Sequence, residues 1–260
     1  MDERATVERV YILDGGIAEV DDASIYSPGV NVGVPMALSC NAYLIGHRGS
    51  WLLWDTGTDD ALIREPGGRI IAHGIRGTVR RTVRSQLEEI GLAPDDVGTI
   101  ALSHAHFDHV GNCRLFPKAR WVAQKREYDD MFGPDPEGFG YDPGLYATMR
   151  DNPVDLVEGD CDVFGDGAVR MIFTPGHTRG HCSLLIRLPR SGPVLLSGDM
   201  AHNRENFALR RVPSFNADRQ ATVDSMEKVA SLLNDEGATL WINHDKAQSD
   251  ALPHAPVSMT

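Results

Sequence analysis

Three histidines and one aspartate stand within six residues of this chain, between positions 104 and 109. The cluster follows an apolar run at 99–102, which predicts that it begins just past the end of a β-strand. Because alternate residues of an extended backbone share a face, His104 and His106 are expected to converge on one metal ion. Asp108 and His109 follow a turn and can point to a second ion. These imidazole and carboxylate ligands suit Zn²⁺ and similar ions.

Ligand-capable side chains recur after three later apolar runs. Each run has the length and composition of a buried strand, and the runs lie at 169–173, 194–196 and 239–242. The residues that follow them are His177, Asp199 and His244. A lone histidine after a strand is more often structural, but four such placements indicate an active site assembled from loops along one sheet edge.

Short apolar runs bounded by turn residues predict a chain rich in strands. Besides the four above, the runs lie at 7–13, 41–45, 51–54, 121–123 and 183–188. Two segments have helical periodicity instead, 78–90 and about 218–233, and each is followed by a glycine that can end a helix. We expect one domain, residues 1–260, because mixed folds of this length often form a single unit.

The segment 132–155 differs from the rest, because prolines and glycines alternate with aromatic residues along it. A long loop of this kind in a compact domain is either a lid over a site or a surface excursion. A substrate-facing loop is favoured, and an insertion that packs its own aromatic residues stays open.

The charge balance disfavours several partners. Acidic residues outnumber basic ones, 37 to 25, for a formal net charge of -12, which argues against binding of a nucleic-acid backbone. No run approaches the ~20 apolar residues of a membrane span, and the first residues lack a signal-like apolar core. We therefore expect a cytoplasmic protein that binds neither nucleic acid nor membrane. The four cysteines are scattered, which predicts buried free thiols rather than disulfides or a thiolate zinc site.

The order H-x-H-x-D-H, then His, then Asp, then His resembles the pattern of the metallo-β-lactamase superfamily. Asp55-Thr56-Gly57 is similar to the superfamily's upstream aspartate motif. Within the superfamily, the chain most resembles the N-acyl homoserine lactone lactonases. The matching segments, which span nearly the whole chain, are L-D-G-G at 13–16, S-H-A-H-F-D-H at 103–109, F-T-P-G-H at 173–177 and N-H-D at 243–245.

The resemblance implies an α+β fold, a four-layer αββα sandwich with the active site at one edge of the β-sandwich. It also implies two divalent metal ions, zinc first with cobalt, manganese or iron as alternatives, and a homodimer. Seven side chains match the superfamily's metal ligands: His104, His106 and His177 for the first ion, Asp108, His109 and His244 for the second, and Asp199 as the bridge. Asp55 would orient a ligating histidine, and we expect His181 to be a hydrogen-bonded neighbour of the ligands rather than an eighth ligand.

Three positions depart from the related lactonases. His202 stands where they often carry a tyrosine, three residues after the bridging aspartate, that can hydrogen-bond the substrate carbonyl. An imidazole can donate the same bond, but its protonation varies near neutral pH, so substrate preference and pH profile stay open. Arg179 replaces a proline, a change expected at the surface, and Asn243 replaces a glycine.

The implied reaction is hydrolysis of a lactone ester by a hydroxide that bridges the two metal ions. Asp108 would carry a proton to the leaving alkoxide, and His202 would help to polarise the carbonyl. Other substrates for the same fold stay open: a different lactone, a glutathione thioester or a small phosphodiester. The ligand set lacks a cysteine, which disfavours a β-lactamase. A structural zinc protein is disfavoured because His- and Asp-rich sites leave room for water.

Overall fold

The computed structural model describes residues 5–72 and 74–260. Across these residues the chain forms sixteen β-strands and seven α-helices. The strands are β1 Arg9–Leu13, β2 Ile17–Val20, β3 Met36–Ser39, β4 Ala42–His47, β5 Ser50–Trp54, β6 Arg69–Ala72, β7 Ile75–Thr78, β8 Val97–Ala101, β9 Arg120–Gln124, β10 Val154–Val157, β11 Cys161–Asp162, β12 Val169–Phe173, β13 Cys182–Leu188, β14 Gly192–Leu196, β15 Thr239–Trp241 and β16 Ser258–Met259. The helices are α1 Val83–Glu89, α2 Phe107–Val110, α3 Lys125–Met131, α4 Pro143–Tyr146, α5 Arg204–Leu209, α6 Arg219–Glu236 and α7 Lys246–Ala251.

The strands form three sheets. Seven strands build the first in the order β10-β9-β8-β5-β4-β1-β16, and five build the second in the order β11-β12-β13-β14-β15. A smaller third sheet joins β3, β2, β7 and β6. β5, β8, β9 and β10 are parallel neighbours, as are β14 and β15. The carboxyl ends of parallel strands meet at one edge of a sheet, so the residues that follow them are brought together there.

The two larger sheets face each other across an apolar interior. Ile45 of β4 and Leu52 of β5 lie in one buried cluster with Leu184 and Ile186 of β13. Side chains alternate between the two faces of a strand, so every second residue of β4 and β5 enters this layer. Burial of these branched side chains is the main favourable contribution that joins the two sheets.

Helices cover the outer faces of both sheets. Leu44 and Leu53, which alternate with the inward residues, pack in a second cluster with Leu87 of α1. On the opposite side, Met226 of α6 packs with Leu185 of β13. The order of layers is therefore helix, sheet, sheet and helix, which confirms the expected αββα sandwich.

One of the two predicted helices begins later than the sequence suggested. The helix expected at 218–233 is α6, whose first turn is capped by the Asp218 carboxylate accepting from Ala221 N. The helix expected at 78–90 is α1, and its predicted start is wrong, because Ile75–Thr78 pairs with β2 as strand β7. α1 begins only after Thr82, whose hydroxyl accepts from Ser85 N and fixes the first turn.

Each of the nine predicted strands overlaps a strand of the first or second sheet. The third sheet was not predicted, because its strands are four residues long and some carry charged side chains. The segment 132–155 is not one loop, since it holds α4 and the start of β10. Within the described chain, no helix is long and apolar enough to cross a membrane.

Candidate metal centre

Three imidazole nitrogens meet at the edge of the two large sheets. His104 Nε2 lies 3.0 Å from His106 Nδ1 and 3.1 Å from His177 Nε2, and the last two atoms lie 2.9 Å apart. Ligands of a tetrahedral Zn²⁺ at 2.0–2.1 Å are separated by about 3.3 Å, so this triangle matches one face of such a coordination shell. Burial lowers the pKa of His104 and of His177 well below the ordinary value. Both rings are therefore neutral, as metal ligands must be.

A second cluster lies beside the first. His109 Nε2 and His244 Nε2 each lie 3.0 Å from Asp199 Oδ1. Asp108 completes the cluster, with Oδ2 at 3.6 Å from His244 Nε2 and Oδ1 at 3.8 Å from His109 Nε2. All four side chains are buried.

Asp199 belongs to both clusters. While its Oδ1 faces the second cluster, Oδ2 lies 3.3 Å from His177 Nε2 and 3.7 Å from His104 Nε2. Burial would raise the pKa of this carboxyl, but His244 and His109 outweigh it and hold the pKa well below the usual range. The carboxylate is therefore ionised and positioned between two groups of nitrogens, as a bridging ligand would be.

Among the described residues of this centre, three buried atoms lack the partners that folded proteins normally provide, and they belong to His109, Asp199 and His202. Neither His109 Nε2 nor Asp199 Oδ1 makes a hydrogen bond within the part of the chain that the structure describes. Buried polar atoms of this kind are costly unless something satisfies them. An unsatisfied nitrogen and an unsatisfied carboxylate oxygen at 3.0 Å fit a shared cation, so the residues are those of a site for divalent metal ions.

Asp55 follows β5 and holds a ligand candidate from behind. Its Oδ2 lies 2.8 Å from His109 Nδ1, and its Oδ1 accepts from Ser103 N at 2.7 Å. Asp55 has a φ of 56°, which is uncommon for a residue other than glycine. The turn is held because Asp55 N donates to Ala101 O at the end of β8. The expected orienting role therefore has the required geometry.

His181 has both ring nitrogens engaged by the protein. Nδ1 lies 2.9 Å from the Thr174 carbonyl, and Nε2 accepts from Asp199 N at 2.8 Å. Burial lowers the pKa of His181 to about 4, so the neutral ring can both donate and accept. Gly198 is required here, because a Cβ at this position would lie 2.6 Å from His181 Nε2. His181 therefore fixes the backbone of Asp199 and leaves no nitrogen for a metal.

His202 lies within the centre rather than outside it. Its Nε2 is 3.3 Å from Asp199 Oδ2, and its ring stacks on His244 with 5.1 Å between centroids. Burial lowers the pKa of His202, so its ring is neutral at pH 7. The remaining departures are less central: Arg179 is exposed and pairs with Asp130, and Asn243 is buried with its backbone N–H donating to Ser197 Oγ.

Three residues of the site carried no signal in the sequence. One is Tyr26, whose ring lies 4.8 Å from that of His202 and 5.7 Å from that of Phe215, measured between centroids. Its hydroxyl has no hydrogen bond to the residues that the structure describes, and burial raises its pKa above the ordinary range. Asn206 Nδ2 donates to the Tyr26 carbonyl at 2.9 Å and so holds this loop against α5.

The second is Cys40, the residue after β3, whose Sγ lies 3.5 Å from Asp108 Oδ2. It is buried and free and packs in an apolar cluster with Leu38 and Phe107, so its thiol lies where that cluster borders the candidate metal centre. Burial and the charge of Asp108 raise the pKa of this thiol to about 11. The neutral thiol therefore donates to Asp108 before an ion binds.

The third is Glu127 of α3, a buried carboxylate behind the first cluster. Its four hydrogen-bond donors come from both ligand-bearing loops and from the segment after α3, and they are Ala105 N, Tyr141 Oη, Thr178 Oγ1 and Gly180 N. No local motif predicts the buried position of Glu127, because its partners come from three separate parts of the chain. Glu127 ties the loop of His106 to the loop of His177.

A cavity of about 830 Å³ opens over the two clusters. Asp108, Asp199, His202 and His244 lie at its base. Most of its wall is apolar or aromatic, and these residues are Ala18, Tyr26, Ile71, Ala72, Ile75, Phe107, Phe139, Tyr141, Phe215 and Ala217. Residues 137–142 form one side of the wall. The segment 132–155 thus forms part of the cavity wall, and the same segment buries Tyr146 in the apolar core.

The metallo-beta-lactamase superfamily model matches residues 35–236 of this chain. The matched range runs from just before β3 to the end of α6. It contains every candidate metal ligand except His244.

Relatives align over almost the full chain. N-acyl homoserine lactonase AttM of Rhizobium radiobacter is 32% identical over 253 residues, which cover 91% of this chain and 93% of the relative. N-acyl homoserine lactonase AiiA of Bacillus thuringiensis subsp. kurstaki is 27% identical over 251 residues, which cover 94% of this chain and 95% of the relative.

A solved structure has the same architecture. An N-acyl homoserine lactone hydrolase with the product N-hexanoyl-L-homoserine bound at its catalytic metal center superposes with a TM-score of 0.86 and 26% identity. The superposition covers 98% of this chain and 100% of that one.

Proposed function

The chain belongs to the metallo-β-lactamase superfamily and, within it, to the N-acyl homoserine lactonases, and we propose that it hydrolyses the lactone ring of N-acyl homoserine lactones. One observation carries this proposal: two groups of candidate metal ligands share Asp199 at the base of a cavity with a largely apolar wall. The wall fits an acyl chain, and the base fits the polar ester. The substrate class in the names of the aligned relatives supports the same substrate here.

The charges around the cavity favour a neutral ester over the other substrates of this fold. Among the described lining residues, Arg179 is the one permanent cation, and its guanidinium pairs with Asp130. Glu137 and Asp142 add negative charge to the wall. Glutathione carries two carboxylates and a phosphodiester carries a charged phosphate, so both need cationic partners. A lactone with an acyl tail needs none.

The ligand assignment follows the two clusters. We propose zinc at both positions, with three histidines for the first ion, Asp108, His109 and His244 for the second, and Asp199 shared. Two divalent ions bound there supply a water of lowered pKa and polarise the ester carbonyl. The neutral rings of His104 and His177 and the ionised Asp199 are the protonation states that the first ion requires. Against the effect of burial, the charge of Asp199 raises the pKa of His109 and of His244 well above the ordinary value, so an ion bound at the second position displaces a proton from these rings.

Asp108 is positioned to move the proton of the reaction. Its carboxylate lies on the cavity base between His109 and His244, with 6% of the residue exposed. From that place it takes the proton of the attacking water and delivers it to the alkoxide oxygen of the opened ring. In a lactone this leaving group stays attached, so the product is a hydroxy acid.

Two hydrogen-bond donors face the space above Asp199. His202 presents Nε2 to the shared carboxylate at 3.3 Å. Tyr26 lines the same cavity with a hydroxyl that stays protonated because burial raises its pKa. We propose that the two side chains together hold the ester carbonyl oxygen as negative charge develops on it, where a fixed donor contributes most.

Titration of released acid at constant pH tests the activity. Purified protein with zinc should open N-acyl homoserine lactones of short, medium and long acyl chains, and a chelator should stop the reaction until zinc is restored. His104→Ala should lose activity, whereas His254→Ala should keep it, because His254 lies outside the cavity. Robust hydrolysis of a glutathione thioester or a phosphodiester, without lactone opening at any chain length, would refute the proposal.

A homodimer and a cytoplasmic location remain predictions from the sequence. Sedimentation velocity of the metal-loaded protein measures the first, and cell fractionation measures the second. We propose that residues 1–260 act as one hydrolase domain, because both sheets contribute ligands to one centre.

A further inference from the structure

Cys40 lies where a metal ligand would lie. Its Sγ, an oxygen of Asp108 and a nitrogen of His244 are all within 4.8 Å of one another, and all three side chains are buried. Cys40 lies 68 residues from Asp108 in the chain, and the turn between β3 and β4 brings it to the centre. Asp108 and His244 are the proposed ligands of the second ion.

We propose that the sulfur of Cys40 is a further ligand of the ion held by Asp108 and His244, and that it makes this half of the centre selective for thiophilic ions. The second half would then have a sulfur, oxygen and nitrogen donor set, while the first has nitrogen and oxygen donors only. The proposal concerns metal binding alone, so its outcome does not depend on the identity of the substrate.

The separations fit ligands of one ion. With Zn–S near 2.3 Å and Zn–O near 2.0–2.2 Å, a sulfur and an oxygen on one zinc ion lie roughly 3.1–3.6 Å apart, at ligand–metal–ligand angles of about 90–110°. Cys40 Sγ and Asp108 Oδ2 are 3.5 Å apart. The distance from Asp108 Oδ2 to His244 Nε2 is 3.6 Å.

An independent observation points to a cation at the same place. His109 Nε2 and Asp199 Oδ1 lie in the second cluster, and within residues 5–72 and 74–260 neither has a hydrogen bond. Asp199 Oδ1 is also 3.0 Å from His244 Nε2, the nitrogen that belongs to the group with Cys40. The unsatisfied atoms therefore lie beside the group that contains the thiol, next to its members His244 and Asp108.

When the thiol of Cys40 binds the ion, a bond to the metal replaces the bond between sulfur and hydrogen. The ion forms a bond to sulfur, the S–H bond breaks, and the proton passes to bulk water. A bound divalent cation removes a proton that the free thiol would keep, because its charge reverses the local electrostatics. Soft sulfur ligands favour zinc and related ions, whereas oxygen-rich sites suit manganese and magnesium.

The competing role for Cys40 is that of a hydrogen-bond donor to Asp108, without a bond to the metal. The two roles differ in whether sulfur lies next to the ion. X-ray absorption at the zinc edge of the wild-type, zinc-loaded protein measures this directly. We expect a sulfur neighbour near 2.3 Å, averaged over the two ions.

Variants provide the matched comparison. Cys40→Ala should lose the sulfur neighbour, whereas Cys182→Ala should keep it, because Cys182 is equally buried but its Sγ contacts the Gly180 carbonyl. With cobalt in place of zinc, the wild type and Cys182→Ala should show a sulfur-to-cobalt charge-transfer band that Cys40→Ala lacks. Loading from an equimolar mixture of zinc and manganese should show a lower zinc share in Cys40→Ala.

The wild-type spectra alone can overturn the proposal. A zinc edge that requires only nitrogen and oxygen neighbours, or a cobalt spectrum without the charge-transfer band, would show that Cys40 only donates a hydrogen bond to Asp108. This result does not require either variant to fold, and it leaves the lactonase proposal untouched.

Discussion

His109 Nδ1 lies 2.8 Å from Oδ2 of Asp55, a residue whose backbone adopts the left-handed conformation at a φ of 56°. The turn after β5 thus places a carboxylate directly behind a ligand candidate. With a metal ion on Nε2, this contact holds the remaining proton of His109 on Nδ1, where Asp55 accepts it.

We expect Asp55→Asn to bind metal more weakly, by about 10- to 100-fold, the usual effect of changing the partner behind a ligating histidine. The neutral amide cannot support the same charge on the ring. Competition with a chromophoric chelator measures the affinity of each site. Asp95→Asn is the control, because Asp95 is exposed and pairs with Lys118 at the surface. Equal affinity in Asp55→Asn and wild type would show that the contact is not needed for metal binding.

Asp108→Asn should lower kcat for lactone opening by roughly 10²- to 10⁴-fold, the range of general acid–base catalysis. The amide can keep an oxygen near the second cluster but cannot accept the proton. Metal analysis of the same preparation must accompany the kinetics. Near-normal turnover would exclude Asp108 as the group that carries the proton. Loss of the second ion from the variant would mean that the lower kcat reflects weaker metal binding and not impaired proton transfer.

Tyr26→Phe should reduce kcat/KM for the lactone by up to about 10²-fold, because one donor to the developing oxyanion is lost. The ring packing against His202 and Phe215 is retained in this variant, so stability should change little. Tyr128→Phe is the control, since Tyr128 packs on Phe132 away from the cavity. If Tyr26→Phe keeps full activity and His202→Ala alone reduces it and changes the pH profile, the carbonyl donor is His202 and not the phenol.

Phe139→Ala should change the preference for acyl-chain length. Phe139 is 37% exposed on the cavity wall, and the Arg179 guanidinium lies over its ring at 5.0 Å. Loss of part of this apolar surface should lower kcat/KM for a long acyl chain by about tenfold, equal to ~1.4 kcal/mol. The effect on a short chain should be smaller. Leu209→Ala is the control, because Leu209 is exposed and lies outside the cavity, and it should change kcat/KM for neither the long nor the short chain. An equal loss of kcat/KM for both chain lengths in Phe139→Ala would show that the acyl chain binds elsewhere.

Glu127 should make stability depend on pH. Burial raises its pKa from 4.5 to about 7, against the lowering effect of the donors Thr178, Tyr141 and Ala105. The folded protein therefore holds a proton that the unfolded chain releases above about pH 4.5. The free energy of unfolding contributed by this group is highest below pH 4.5 and falls as the pH rises through 7, by at most about 3 kcal/mol.

Glu127→Gln removes this titration, so its stability should vary less between pH 5 and 8 than that of the wild type. Urea unfolding of the metal-free proteins at several pH values measures the difference. Lower stability of the variant at every pH would reflect the loss of one of the two acceptor oxygens, because an amide nitrogen cannot accept from the donors around Glu127. Parallel curves for the two proteins would show instead that the carboxyl stays ionised across the range.

The strands could be predicted because a buried sheet requires apolar runs, and all nine runs form strands. The start of α1 could not be predicted in this way. Ile75–Thr78 forms a strand because it pairs with β2, and the local periodicity of the sequence does not indicate this pairing. The third sheet was not predicted, for the same reason. Its strands are short, and they gain their hydrogen bonds only once the chain has folded.

The sequence by itself determined the chemistry of the centre. Histidines and aspartates that follow buried strands must emerge at strand ends, so their donor types and approximate meeting place follow from local spacing. The tertiary structure alone decided which atoms share a space. Cys40 and Tyr26 are far from Asp108 in sequence and carry no motif, yet strand pairing and sheet packing bring Cys40 to Asp108 and Tyr26 to His202. Such contacts depend on the summed packing of the whole chain, and no short segment contains that information.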